Sequence, residues 1–272
     1  MNRTIFNRVK SWVRKLGIDI RRKKASPYDY LLLKPRFIQT PMMLNGKKFI
    51  IADGPSFSAS YREIFLDEIY RFDTAVKRPV IIDCGANYGT SVIFFKKLYP
   101  ESEIVAVEAD PDIYKLLSGN IERQRMADVT LINKAVAVKR GPVTFYKQGA
   151  DGGSLHALQD SRGSVQVESI SIDELLCRPV DFLKVDIEGA EVDVLCGCTK
   201  LENVSKLFIE YHSFSDSEQE LDRMLNKLKQ NGFRYYIYDL AVPQNPFLHP
   251  LQLPVMDMQL NICCVKEDQM GV

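Results

Sequence analysis

"VIIDCGANYGTSVIFF" (Val80–Phe95) carries three signals in sixteen residues. An apolar run ends in Asp83, Gly85 and Gly89 follow, and an apolar stretch at helical spacing begins near Thr90. The pattern reads as strand, turn and helix, with the turn at the carboxyl end of the strand. That is where open α/β sheets bind ligands, and where a helix start offers free N–H groups and a positive dipole end. Gly85 allows a sharp turn and close backbone approach. Asn87 lies between the two glycines, so Gly85, Asn87 and Gly89 are candidate ligand-lining positions. Asp83 is the informative member. A carboxylate there repels a pyrophosphate and attracts a cationic group, and the G-x-G-x-x-G pyrophosphate fingerprint is absent.

Outward from this stretch the chain alternates. "EIVAVEA" reads as a strand and "PDIYKLLSGNIERQ" as a helix. "VTLINKAVA" reads as one further strand, with shorter ones near "VTFYK" and "VQVESI". "SIDELL", "AEVDVLCGCTKL" and "SEQELDRMLNKLKQNG" read as helices before or after the strands "DFLKVDI", "SKLFIEYH" and "FRYYIYDL". The last strand is "MQLNICCVK". The βαβα alternation predicts an α/β fold with a mostly parallel sheet covered on both faces. No helix separates the final two strands, so they are expected to pair antiparallel at one edge.

Three further groups of side chains carry chemistry. Glu108 closes the strand after the glycine loop, where an acid accepts hydrogen bonds from both ribose hydroxyls. That suits NAD and S-adenosylmethionine (SAM) alike. The missing pyrophosphate fingerprint and the cation-attracting Asp83 favour SAM. Asp186 and Glu188 follow the strand "DFLKV", and Glu210 and His212 lie on one side of the next strand. A histidine oriented by an acid is a suitable base for deprotonating an acceptor hydroxyl. Asp186, Glu210 and His212 are equally suited to a divalent cation that lowers the hydroxyl's pKa. Glu191 is expected to cap the helix that follows.

These stretches are collinear, and together they resemble the FkbM family of SAM-dependent methyltransferases. "VIIDCGANYGTSVIFF", "VAVEADPDIYKLLSGNI", "ISIDELL", "DFLKVDIEGAEVDVLCG" and "LFIEYH" carry the likeness from Val80 to His212. The resemblance implies a Rossmann-like class I methyltransferase fold with seven strands and an antiparallel last strand. It also implies O-methylation of a sugar, a glycan or a similar natural-product hydroxyl. It places Asp83, Gly85 and Gly89 by the methionine part of SAM, Glu108 by the ribose and Asn133 near the adenine. Residues 79–272 would form the methyltransferase domain and 26–78 an extension. Acceptor choice would fall to residues 26–60, the Gly149–Gly163 loop with Ser154 and His156, and the Pro-rich loop 241–254.

Composition sets outer limits. The 272 residues are 46% hydrophobic and 26% charged with net charge +1, an ordinary globular balance. The charge is uneven: residues 1–24 hold nine Lys or Arg against Asp19, leaving the remainder acidic. Residues 1–25 read as a basic amphipathic helix, packed on protein or resting on anionic lipid. The acidic remainder argues against nucleic acid as a partner. Six cysteines without a CxxC pair read as reduced structural thiols, and no apolar run of membrane-spanning length occurs. The expected location is cytoplasmic, with possible peripheral contact at the inner membrane surface. The alternative to an enzyme is a non-catalytic scaffold of the same fold that binds a partner or membrane through its basic N-terminus.

Overall fold

The computed structural model describes residues 25–149, 153–155, 162–241, 247 and 256–267. The expected N-terminal helix, His156 and most of the Pro-rich loop 241–254 lie outside the described residues.

After a 3-10 turn (Asp29–Leu33), a hairpin of β1 (Thr40–Leu44) and β2 (Lys47–Ile51) leads to helix α1 (Gly54–Tyr61). Asp53 caps this helix by accepting from Ser56 N, and a proline in the first turn supports the start. Over 26–60 the sequence predicts Pro-rich irregular chain with a strand and turn at Lys47–Gly54, which forms as β2, and over Tyr61–Phe72 it predicts a helix. The helix instead begins at Gly54, capped by Asp53, because Asp-Gly-Pro is a helix start as readily as a turn. It relaxes into a π turn over Arg62–Leu66.

The main domain then follows as β3 (Val80–Cys84), α2 (Thr90–Leu98), β4 (Glu103–Glu108), α3 (Pro111–Gln124) and β5 (Val129–Asn133). Next come β6 (Ala135–Ala137), β7 (Gly141–Lys147), β8 (Gly153–Ser154), β9 (Ser164–Ser171), α4 (Ile172–Leu175) and β10 (Val180–Val185). The chain ends with α5 (Glu191–Gly197), β11 (Val204–Phe214), α6 (Leu221–Gln230), β12 (Phe233–Ala241) and β13 (Met256–Lys266). The seven-stranded sheet runs β12-β13-β11-β10-β3-β4-β5. Only β13 opposes the other strands, so the expected mostly parallel sheet with an antiparallel last strand is what forms. The expected single strand "VTLINKAVA" is two: β5 ends at Asn133, and β6 joins a separate four-stranded sheet with β9, β7 and β8.

Alternation along the strands builds two cores. Ile82, Leu183, Val185, Leu207 and Ile209 face α5 and α6 in one cluster. Ile81, Phe182 and Phe208 face the opposite side, with Phe95 of α2, Leu117 and Ile121 of α3, and Tyr70 and Phe72 of the extension. The rings of Phe72 and Phe182 stack at 4.8 Å. The hairpin and α1 add Phe49 and Phe57, which pack on Tyr88 and Ile93. The strand order reverses between β3 and β10, and the site opens at that switch point.

Candidate active site

Beyond β3 the chain turns at Gly85 with φ +85°. A Cβ here would lie 1.8 Å from the Asp186 carbonyl oxygen, so the two loops can touch only through a glycine. Asp186 N donates to Cys84 O at 3.1 Å, and Gly85 N and Ala86 N both donate to Val107 O. The turns after β3, β4 and β10 are thereby tied together. Glu108, at the end of β4, accepts from Asn87 N at 2.9 Å through one oxygen and from Asp110 N at 2.8 Å through the other. Each oxygen keeps a further lone pair for a ligand. Burial, with the charge of Asp110, pushes its carboxyl up to about 7 against these two N–H bonds.

The cleft beside these turns has a volume of ≈ 370 Å³. Of the residues singled out from sequence, Gly85, Asn87, Glu108, Asp186, Glu188 and Glu210 line it. Asp83, Gly89, Asn133 and His212 stand behind its wall. Gly89 begins α2 at φ +99° and packs against Leu117, which a Cβ would meet at 2.9 Å. Asn133 donates to the carbonyls of Glu108 and Ala109, holding the turn that presents Glu108, while its neighbour Lys134 reaches the cleft. Asp83 is fully buried and accepts from Ser91 Oγ. Its charge is met inside the protein by Lys184, 3.3 Å away, instead of facing a bound cation.

Lys184 carried no role in the sequence reading. It lies on β10 directly beside Asp83 of β3, its side chain 3% exposed. Its ammonium donates to Gly85 O at 2.9 Å and pairs with Asp186 Oδ2 at 3.0 Å. Burial pushes the ammonium down, but Asp186 and Asp83 outweigh it and hold it well above the usual lysine range. One cation thus fixes the glycine turn, the acid behind it and the acid at the mouth. The visible signal was a lysine at an inward position of a central parallel strand, where a charge needs partners.

His212 occupies a second charged knot. Its side chain is 1% exposed. Nδ1 is 3.1 Å from Glu191 Oε1, and Nε2 is 3.5 Å from Glu188 and 3.6 Å from Glu210. Burial alone would favour the neutral ring, but Glu188 and Glu191 hold its pKa well above the usual histidine range. That environment runs against the free base expected of it, because the surrounding acids keep the ring charged. Burial, with the facing acids, pushes Glu188 and Asp186 up. Glu210 is pulled down despite burial, by His212 and by the Gln259 amide that donates to it. Glu191, expected to cap the following helix, instead ties the loop before it: its carboxylate accepts from Ile187 N and Gly189 N, and the helix start has no side-chain cap.

The extension adds Glu63, which sequence reading missed because it sat in an ordinary amphipathic pattern. The π turn delivers it to the cleft, where burial, then Glu210 and Asp186, push its carboxyl up to about 7. Among the described residues, Asp186, Glu188 and His212 bring donor atoms to within 4.8 Å of one another. The cation set expected from sequence had Glu210 in place of Glu188. Glu210 is drawn aside by Gln259, and Glu188 takes its position.

The family profile described as "Methyltransferase FkbM domain" matches residues 83–235, more than half of the chain. The chain belongs to the FkbM methyltransferase family. Among curated relatives of this FkbM chain, "Methyltransferase 1" of Beauveria bassiana is 28% identical over 162 residues, covering 50% of this chain and 65% of that protein. "Hexuronic acid methyltransferase AglP" of Haloferax volcanii is 25% identical over 231 residues, covering 78% of this chain and 91% of AglP. "2-O-methyltransferase NoeI" of Sinorhizobium fredii is 26% identical over 164 residues, covering 52% and 65%. The FkbM chain thus spans about two thirds of the fungal and rhizobial relatives and nearly all of the archaeal one. Among the described residues, no helix is long and apolar enough to cross a membrane.

Proposed function

We propose that this FkbM chain transfers the methyl group of SAM to a hydroxyl of a sugar, glycan or similar natural-product acceptor. The observation that carries the reading is one cleft with a ribose-type acid, Glu108, at one end and a group of carboxylates at the other. The residues present fit SAM. Glu108 keeps free lone pairs on both oxygens, and Gly85 brings bare backbone to the wall. The acidic mouth suits a sulfonium and an ammonium group. When bound, SAM supplies an activated methyl group, so the protein's task is to hold the acceptor in line and take up one proton.

In this reading Glu108 accepts from the ribose hydroxyls, and the Gly85–Asn87 turn lines the methionine side. Lys184 acts as a positioning residue that fixes this turn relative to Asp186. The acceptor oxygen gains the methyl group and loses its proton to a carboxylate at the mouth. Glu63 is the best-matched acceptor for that proton, since a carboxyl near 7 both takes and releases one at neutral pH. His212 as imidazolium keeps Glu210 ionised behind it. The name of NoeI supports a sugar-type O-methylation and that of AglP a uronic-acid substrate, so uronic acids are the first class to try.

Calorimetric titration with SAM tests the cofactor site. Glu108→Ala should weaken SAM binding at least tenfold, and wild-type affinity in that variant would refute the assignment. Incubation with SAM and uronic-acid oligosaccharides, read by mass spectrometry for a methyl ether, tests the acceptor class. SAM bound without any methylated sugar would move the acceptor to another class of hydroxyl.

A further inference from the structure

We propose that Asp186, Glu188 and His212 form a divalent-cation site at the acidic mouth of the cleft, with His212 reaching it from behind the wall, suited to a hard ion of the Mg²⁺ or Mn²⁺ type. Three observations carry it. The first is convergence. One oxygen from each acid and a ring nitrogen lie within 4.8 Å of one another, from the exit of β10 and the adjacent strand β11. Ligands held at about 2.1 Å from one ion stand up to ~4.2 Å apart, so a small inward turn of the side chains closes the set.

The second is the imidazole. It is buried, and one nitrogen is anchored while the other is aimed into the acids. Nδ1 meets Glu191 Oε1 at 3.1 Å, and Glu191 is itself locked by Ile187 N and Gly189 N. Nε2 has no neighbour of the network nearer than the Gln259 amide nitrogen at 3.4 Å, with Glu188 and Glu210 beyond it. A ring fixed by a carboxylate through one nitrogen and turned toward acids with the other is how histidine is presented to a metal. Glu188, among the acids that keep this ring charged without a cation, would ligate the ion instead, and ion binding displaces the Nε2 proton. The third is charge. Glu63, Asp186, Glu188 and Glu210 line the cleft, and Glu191 stands behind them against His212. Among the described residues the basic groups in ion-pair contact with these acids are Lys184 and His212, and Lys184 is shared with Asp83. A bound cation offsets the remaining negative charge, which is costly to leave uncompensated at a part-buried site.

Two carboxylates and one imidazole leave positions open on a six-coordinate ion. A hydroxyl bound at such a position becomes more acidic. That consequence rests on the methyltransferase reading above, whereas the site itself does not. Glu188 is held for the task from both sides. Its backbone takes φ +55°, and its carbonyl accepts from Ser154 Oγ at 2.6 Å.

The test is a Mn²⁺ titration of EDTA-treated full-length protein followed by electron paramagnetic resonance. One tightly bound Mn²⁺ per chain is expected. Glu188→Gln and His212→Gln should each weaken it tenfold or more, and Glu191→Gln, which frees the ring, by about tenfold. Thermal unfolding of the same samples shows that each variant is folded, and SAM affinity is read by calorimetry on the wild-type protein. No stoichiometric Mn²⁺ on the wild-type protein overturns the site, as does unchanged affinity in Glu188→Gln. One-for-one displacement of Mn²⁺ by SAM also overturns it, assigning the acids to SAM's ammonium group. Mn²⁺ binding without SAM binding would instead refute the proposed function and leave the site standing.

Discussion

Lys184 shows how much one side chain decides. Its ammonium serves Asp83, Asp186 and the Gly85 carbonyl together, so its removal leaves two acids uncompensated beside a buried turn. Lys184→Met should destabilise the protein by about 3–5 kcal/mol, measured by urea unfolding. A loss under about 1 kcal/mol would show that water replaces the ammonium. Glu63 gives a pH signature. Its carboxyl is raised from the ordinary 4.5 to about 7, so its basic form grows as pH rises through 7. The methyl-transfer rate should climb over that window, and Glu63→Gln should remove the limb. Linkage has the opposite sign for stability. The folded state holds a proton that the unfolded chain has released between about 4.5 and 7, so this group makes ligand-free stability fall as pH rises through that range. Glu63→Gln should therefore melt higher than wild type at pH 8 while being the slower enzyme. A variant no more stable at pH 8 would mean that Glu63 is fully hydrated in solution.

At the scale of elements, short polar contacts hold the extension on the domain. Asn120 of α3 is fully buried, accepts from Ile50 N, and donates to the carbonyls of Ile50 and Tyr88. It joins the hairpin, the glycine loop and α3 in one knot. Asn120→Ala should cost about 2–3 kcal/mol in thermal or urea unfolding, because buried backbone groups on two elements lose their partner. A near-neutral change would mean the hairpin is held by its apolar face alone. Helix α4 shows an element legible from the sequence alone: Ser171 and Glu174 form a capping box, and "SIDELL" carries both. The π turn after α1 was not legible. Ile64 within it, and Tyr70 and Phe72 beyond it, pack in the core cluster against the sheet, a tertiary contact that no local pattern records.

Across the whole molecule, the extension and the sheet share one interior. Phe49, Phe57 and Leu31 bury Tyr88, Ile93 and Ile113, and Glu63 closes the mouth of the cleft. A chain beginning at Pro79 should bind an apolar fluorescent dye and aggregate on size-exclusion chromatography, although it keeps every residue that the resemblance rests on. A monodisperse, SAM-binding product would show the extension to be a separate unit. The alternation of strands and helices, the glycine turn and the acids at strand ends were readable from sequence because each rests on local chemistry: periodicity, a positive φ, a carboxylate closing an apolar run. The division of labour among those acids was not. Asp83 and Glu108 both close apolar strands, but Asp83 is neutralised by a lysine 101 residues away, while Glu108 meets only backbone N–H groups and faces the cleft. His212 likewise reads as a base in sequence and is a caged cation in the fold. The sequence by itself determined which residues sit at the ends of strands, since that depends on periods of two to four residues. Only the tertiary structure decided which of them keep a free charge, because that depends on partners brought across strands and on burial, both of which arise when the sheet closes.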